Sequence, residues 1–405
     1  MSVYLGLSIA SLLIILSFFF NIIQNKFNLS SVIMLIATGI LLHFVATQLD
    51  VDFNMSHHTL SIIGVLGMLI IVLEAVMDME INRNNYLVCL KSFNFAFIVL
   101  FITTAIITVF LRLFYVEHLI DAALYALPFA IASSAVVIPS LSGVSNKMTN
   151  FLLLESIFSD IIGILLFNFL LVVQASHEIG IGKLFINTTL MLVISVVTTF
   201  VMGLILSNRN KIQNLHALVL FILIFIYSMA KMFNLSALIL ILFFGLLLKN
   251  LPGIMSTKIG GYLLKDRLSD DKIQENMTDL KSFVEELGFI IRSIFFIFLG
   301  YSIELSQIIN KSSLVIGGFI IVSIYLVRFL ILKVFLDKSE IPFATSIAPR
   351  GLVTILLLYT ITEENQLQAL DDGIVFFVVV ITCLIMTLSL IFHKNHKVMQ
   401  DEDSA

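Results

Sequence analysis

Charge is scarce in this chain. Only 12% of its 405 residues are Asp, Glu, Lys or Arg, against 59% hydrophobic ones. A water-soluble domain is not built that way, so the composition excludes one and points to a protein that crosses the membrane many times. The net charge of −4 is too small to suggest a nucleic-acid partner. There are only two cysteines, Cys89 and Cys383, in or beside apolar runs. That excludes a disulfide framework and leaves them as small buried hydrophobes. Tryptophan is absent beside 36 phenylalanines, which carries no functional reading. The eight histidines show no metal-ligand spacing, and there is no HExxH, no Walker A run and no GxGxxG after a strand. A zinc hydrolase and a nucleotide-driven pump therefore have no footing, and no cofactor is expected. No Lys or Arg precedes the first apolar run, from Val3. It lacks the charged start of a cleaved signal peptide and is expected to be retained as a helix.

A spanning helix needs about 20 mostly apolar residues. Thirteen candidates start near residues 3, 31, 59, 92, 120, 149, 184, 214, 235, 283, 313, 341 and 373. Sixteen Lys and Arg fall in the odd-numbered loops and the C-terminal tail, among them Lys26, Arg83, Lys147 and Lys394. The even-numbered loops hold four: Arg112, Lys183, Lys231 and Lys311. By the positive-inside rule the N-terminus is expected outside and the C-terminus in the cytoplasm, in what reads as a bacterial inner membrane. Residues 250–282 interrupt the spans with mixed charge and spaced apolar residues, which predicts a cytoplasmic amphipathic surface helix linking two halves. Residues 394–405 are expected to form a short cytoplasmic tail.

Proline is sparse but placed. Span 5 reads "ALYALPFAIASSAVVIPSLSGV", with Pro128 and Pro139 bracketing Ser133 and Ser134. Span 12 reads "IPFATSIAPRGLVTILLLY", with Pro349-Arg350-Gly351 near its middle. Proline removes a backbone donor and clashes with the preceding turn, and glycine adds freedom, so both spans are expected to be interrupted. Irregular backbone at membrane depth survives only where it is buried or lines a wet cavity. The two spans are seven apart and so run in opposite directions. Two broken spans at matching places in oppositely oriented halves point to an inverted repeat and to a transporter's binding site.

Span 6 contains "LLLESIFSDIIGILLFN", with two carboxylates in a run otherwise fit for hydrocarbon. A carboxylate at the centre of a membrane helix costs about 2.5–3.5 kcal/mol on insertion scales, so each needs a reason. Glu155 and Asp160 are about 7.5 Å apart along the axis and about 140° apart around it, so they do not share a face. Ser156 and Asp160 do, with Ser159 and Gly163 adjoining, a stripe suited to a hydrated cavity. Asp160 reads as a carboxylate that binds and releases a small cation, with protons and metal cations competing for it. Glu155 points elsewhere and needs a partner, for which Arg350, Arg328 and Arg292 are available, and a structural pair is expected. Glu74, within span 3, either lines a vestibule or faces a neighbouring helix. Asp78, Glu80, Glu285 and Glu286 lie near span ends and are expected to be solvated.

With these motifs in view, the chain resembles the monovalent cation:proton antiporters, which include bacterial sodium/proton antiporters and eukaryotic sodium/proton exchangers. "ESIFSD" looks like the family's E-S-x-x-N-D element, "APRGLV" is similar to its R-G segment, and "FFIFLGYSIEL" resembles its F-F-x-x-x-G-x-x-x-(D/E) run. The resemblance implies an all-α fold of thirteen spans with two crossed broken helices, Asp160 as the transport carboxylate, and Glu155 as partner of Arg350. It places Arg328 where the family carries a basic residue. It also implies a dimerisation domain (residues 1–90 and 180–310), a moving core (91–179 and 311–393) and a homodimer in the lipid bilayer. Two places depart from the pattern. The family's Asn-Asp is Ser159-Asp160 here, and its Thr-Asp-Pro is Ser133-Ser134-Ala135, a form closer to the potassium/proton branch.

The reading that follows is exchange of sodium or potassium for a proton at Asp160 by alternating access. Hydroxyls of Ser133, Ser134 and Ser159, with Ser156 on the face of Asp160, and freed carbonyls of span 5 are expected to complete the shell. With Glu155 neutralised by an arginine, exchange is expected to be electroneutral. The competing class is a sodium-coupled symporter of a small organic solute, which needs a larger pocket on the same fold. A membrane sensor or an intramembrane protease fits less well, because no soluble domain and no second catalytic aspartate motif is seen.

Overall fold

The computed structural model describes residues 3–27, 30–48, 57–77, 86–141, 147–176, 181–206, 215–232, 237–250, 270–302, 310–365 and 372–402. Among them there are helices and no strands. They are α1 (Val3–Phe27), α2 (Ser31–Gln48), α3 (His57–Met77), α4 (Tyr86–Phe114), α5 (Leu119–Ala130), α6 (Ser134–Leu141), α7 (Lys147–Ser176) and α8 (Ile181–Leu206). There follow α9 (Leu215–Met232), α10 (Ala237–Lys249), α11 (Asp270–Ser302), α12 (Lys311–Phe335), α13 (Ile341–Ser346), α14 (Leu352–Asn365) and α15 (Asp372–Glu402). The pairs α5–α6 and α13–α14 are each one crossing broken in the middle, so the fifteen described helices make the thirteen spans expected. Asp78, Glu80 and residues 251–269 lie outside the described residues.

One boundary differs from the sequence reading. The tenth span begins at Asp270 rather than near 283. The amphipathic stretch is therefore no separate surface helix over 270–282. Its apolar residues Met277, Leu280 and Val284, spaced three and four apart, are buried along one face. They carry the helical period unbroken into the apolar half of α11.

The chain divides into two compact units. One comprises Met1–Gly64, Leu87–Gly163 and Ile290–Ala405; the other comprises Val65–Tyr86 and Ile164–Phe289. In the second, α8 and α10 pack together, and the Ser195 hydroxyl donates to Met191 O (2.7 Å) and across to Leu240 O (3.2 Å). Gly245 of α10 lies against Leu73 and Val76 of α3.

The first unit holds both broken spans. Here α2 and α11 cross with backbones in contact. A Cβ on Gly39 would fall on the Ile297 carbonyl, and one on Gly300 on the Ile36 carbonyl. Only glycine at both positions permits that approach. In α4, Phe93, Phe97 and Phe101 recur every fourth residue and are exposed, as lipid-facing side chains are, while Phe95, Ala96, Leu100 and Ile107 are buried. The window Leu119–Leu141, by contrast, is 83% buried, against 33% for α4. The span with the interrupted backbone is thus the one sheathed by protein on nearly every side, as unsatisfied peptide groups in hydrocarbon require.

Candidate functional site

The breaks cross where the sequence places its prolines. In the first, residues 131–133 are not helical, and Ile131 is extended at φ −73°, ψ 123°. In the second, residues 347–351 are not helical. The Ser133 N–H donates to Pro349 O at 3.0 Å, a backbone bond joining the two. Gly351 makes that approach feasible, because a Cβ there would sit 2.6 Å from Ser133 Oγ.

A helix that stops in the membrane leaves its last carbonyls without donors. Arg350 satisfies those of α5. Its Nε donates to Phe129 O, its Nη2 to Ala130 O at 3.3 Å and its Nη1 to Ala348 O at 2.9 Å. Thr354 adds a bond to Pro128 O at 3.0 Å. A cation at a helix C-terminus also opposes the negative end of the helix dipole. The second break is anchored to α15: the Arg350 N–H donates to Thr382 Oγ1 (3.0 Å), and Cys383 Sγ lies 3.5 Å from Arg350 O.

Arg328 performs the same service for α13, whose Ala344 O accepts from its Nε at 2.9 Å. Its other two nitrogens grip Glu155 in a two-pronged ion pair, at 2.7 and 2.8 Å. Both residues are buried, and the guanidinium also lies 5.3 Å from the centre of the Phe95 ring. This corrects one pairing that the resemblance implied. Glu155 pairs with Arg328, and Arg350 is engaged by carbonyls. The physical reason lies in the geometry of need: Arg350 stands at a break with three orphan carbonyls in reach, whereas Arg328 has one and keeps a fork to spare. Arg292 is half-buried in α11.

Asp160, near the middle of α7, faces the first break. Its Oδ2 accepts from the Ser134 N–H at 2.9 Å, the first amide of α6. An anion at a helix N-terminus meets orphan donors and the positive end of the dipole. Ser159 Oγ accepts from the Ala132 N–H at 2.9 Å, so two neighbours on α7 hold successive parts of the broken backbone. Gly163 completes the stripe: a Cβ there would strike the Ile131 side chain. Ser156 turns away from this work, its hydroxyl donating to Leu153 O one turn back.

Three oxygens remain. Asp160 Oδ1, Ser133 Oγ and Ser134 Oγ are buried and make no hydrogen bond of good geometry among the described residues, though the Ser134 hydroxyl lies beside the Asp160 carboxylate. Asp160 is 4% exposed, Ser133 0% and Ser134 1%. Buried oxygens without donors are costly and mark a place for a ligand, a proton or water. A carboxylate and two hydroxyls, all hard oxygen donors, suit an alkali ion or a proton. The structure thus brings Asp160, Ser159, Ser133 and Ser134 together and gathers Glu155 and Arg328 into a separate pair. Sequence reasoning missed Thr354 and Thr382, which anchor the crossing. Their signal was a lone hydroxyl in an apolar run, which by itself is too common to read.

Residues 9–393 match the family model described as sodium/hydrogen exchanger, transmembrane. No curated protein matches the chain. Among solved structures, the fold is similar to that of the sodium proton antiporter MjNhaP1 from Methanocaldococcus jannaschii at pH 8. The TM-score is 0.68 at 17% identity, over 96% of each chain.

Proposed function

The chain belongs to the transmembrane sodium/hydrogen exchanger family, and on that premise we propose that it exchanges one sodium or potassium ion for one proton at Asp160. It is an integral membrane protein and a secondary transporter, not an enzyme. The observation that carries the site reading is the half-satisfied carboxylate: Oδ2 held by the Ser134 N–H, Oδ1 and two hydroxyls buried without a hydrogen bond of good geometry.

One carboxylate holds a proton or pairs with an alkali ion, and the two occupants exclude each other. Ser133 and Ser134 turn hydroxyl oxygens to the ion, and the ordered amide of Ser134 keeps the carboxylate aimed. Glu155 is tied up by Arg328, and Arg350 by three carbonyls, so Asp160 alone changes its charge state in the cycle. Asp160 with its proton and Asp160 with its cation both carry no net charge. Each cycle therefore moves one charge in each direction, and exchange is electroneutral. The core (residues 91–179 and 311–393) carries the site across against the dimerisation domain (1–90 and 180–310) of a homodimer, with the N-terminus outside. The family and the fold favour this over symport of an organic solute.

The test is exchange in proteoliposomes of the purified protein. Proton release on adding sodium or potassium, without any organic solute, is expected from the wild type and is lost in Asp160→Asn. Exchange retained by that variant overturns the site. A cation-driven membrane current overturns electroneutrality.

A further inference from the structure

A glutamine outside the site bonds the far end of the half-helix whose first amide meets Asp160. On α1, Leu12, Ile15 and Ile22 are exposed, while Ser17 and Gln24, seven residues apart on one face, are buried. Gln24 is only 5% exposed. A buried carboxamide in a membrane span needs both of its ends satisfied. Both are. Its Oε1 accepts from the Ser31 N–H at 2.8 Å, and its Nε2 donates to Pro139 O. Each partner is an orphan of helix geometry: Ser31 opens α2, and Pro139 lies in the last turn of α6.

The second bond falls on the half-helix that meets Asp160. Helix α6 has only eight residues, Ser134–Leu141. Its first amide holds Asp160, and the carbonyl that Gln24 holds lies about 7.5 Å along the same axis. So short a helix, with a proline inside it and a break before it, has few internal bonds to fix where it stands. Hydrogen bonds at its two ends set its axial position. We propose that Gln24 is a positioning residue for the exchange reaction: in the conformation of this structure, before the core moves against residues 1–90, it grips Pro139 and holds half-helix α6 so that the Ser134 N–H meets Asp160. This rests on Asp160 being the transport carboxylate.

The consequence is specific. When α6 is loosened, the amide that favours the cation-pairing, ionised form of Asp160 is poorly aimed, and protons compete better. Gln24→Met keeps the length and removes the amide. It raises the apparent KM for the cation about three- to tenfold, as loss of one hydrogen bond does. The rise is larger at acid than at alkaline pH, and the rate at saturating cation stays within about twofold. Hydrogen exchange at residues 131–141 speeds up. Hydrogen exchange at residues 31–34 is the control, because it reads the other bond, at the start of α2. Gln24→Leu serves where Gln24→Met does not fold, since it likewise removes the donor to Pro139. It is expected to raise KM as Gln24→Met does. Asp160→Asn is assayed alongside. If it exchanges like the wild type, the site reading fails. If it is dead while Gln24→Met or Gln24→Leu keeps the wild-type KM and pH profile, the assignment of Gln24 alone is overturned. It is also overturned if exchange speeds up at residues 31–34 but not at 131–141, because Gln24 would then act only by capping α2.

Discussion

Glutamine in place of Glu155 leaves Arg328 with a buried charge and half a partner. In the wild type the guanidinium spends two nitrogens on the carboxylate, at 2.7 and 2.8 Å, and one on Ala344 O at 2.9 Å. A carboxamide offers one oxygen and one NH2 group, so one prong meets a donor instead of an acceptor. Both residues are at most 2% exposed, which leaves water no route to relieve the mismatch. Breaking such a pair from one side costs about 3–5 kcal/mol. That is about two to more than three orders of magnitude in the folding equilibrium. Arg328→Met strands the carboxylate and the Ala344 carbonyl and should cost as much. The double variant Glu155→Leu with Arg328→Met removes both charges. Apolar replacement of a buried pair is often neutral or better, so it should lose less than either single change, the orphaned carbonyl costing about 1–3 kcal/mol. Equilibrium unfolding by SDS in mixed micelles measures all three, and the cycle yields the coupling. The double variant should also keep cation–proton exchange. The reasoning is refuted if Glu155→Gln costs under about 1 kcal/mol. It is equally refuted if Glu155 couples to Arg350 rather than Arg328.

Ser133→Ala and Ser134→Ala should each raise the KM for the cation about three- to tenfold, with little change in melting temperature; an unmoved KM in both removes the hydroxyls from the ligand set. Arg350→Met orphans the carbonyls of Phe129, Ala130 and Ala348 and should lower unfolding free energy by more than about 3 kcal/mol. Arg350→Lys should recover only part of that, because one ammonium cannot reach three divergent oxygens. Gly39→Ala and Gly300→Ala should each cost at least about 1–3 kcal/mol in the same assay, since a methyl there meets backbone that cannot turn aside. Raising the cation concentration in a transport assay should move half-maximal exchange to lower pH. More cation displaces the proton from a shared carboxylate at higher proton activity, and a profile independent of cation contradicts a single shared site.

The spans were legible because membrane helices announce themselves by length and hydropathy, and the two breaks because proline and glycine have few other uses in mid-span. The resemblance to cation:proton antiporters agrees with the family match. Charge pairing was not legible. Glu155 had three arginines to choose from, and helical periodicity gives a direction on one helix without the distance to the next. What decided it was the supply of orphan carbonyls around each arginine, visible only once the breaks are seen in three dimensions. The start of α11 was missed for a different reason. A hydropathy window ends where charge begins, but Met277, Leu280 and Val284 continue the helical face beneath those charges. Gln24 gave no signal, since a single amide near the end of an apolar run resembles any polar residue at a membrane boundary.

The charges at the crossing are distributed so that one stays available. Four half-helix ends meet there. The C-terminal end of α5 takes Arg350, and that of α13 takes Arg328, which also holds Glu155. The start of α14 packs through Gly351 onto Ser133. Only the start of α6 takes a carboxylate, Asp160. A helix N-terminus favours an anion by up to about 2 kcal/mol in a partly buried setting. A buried arginine pair broken from one side costs about 3–5 kcal/mol. Were Asp160 held as Glu155 is, neither a proton nor an alkali ion could compete for it in a cycle. Held by one amide, it keeps its aim and still gives up an oxygen. On the proposed reading of Asp160, the two arginines serve transport by what they bind elsewhere: each guanidinium committed to a broken helix end is one that cannot close on that carboxylate.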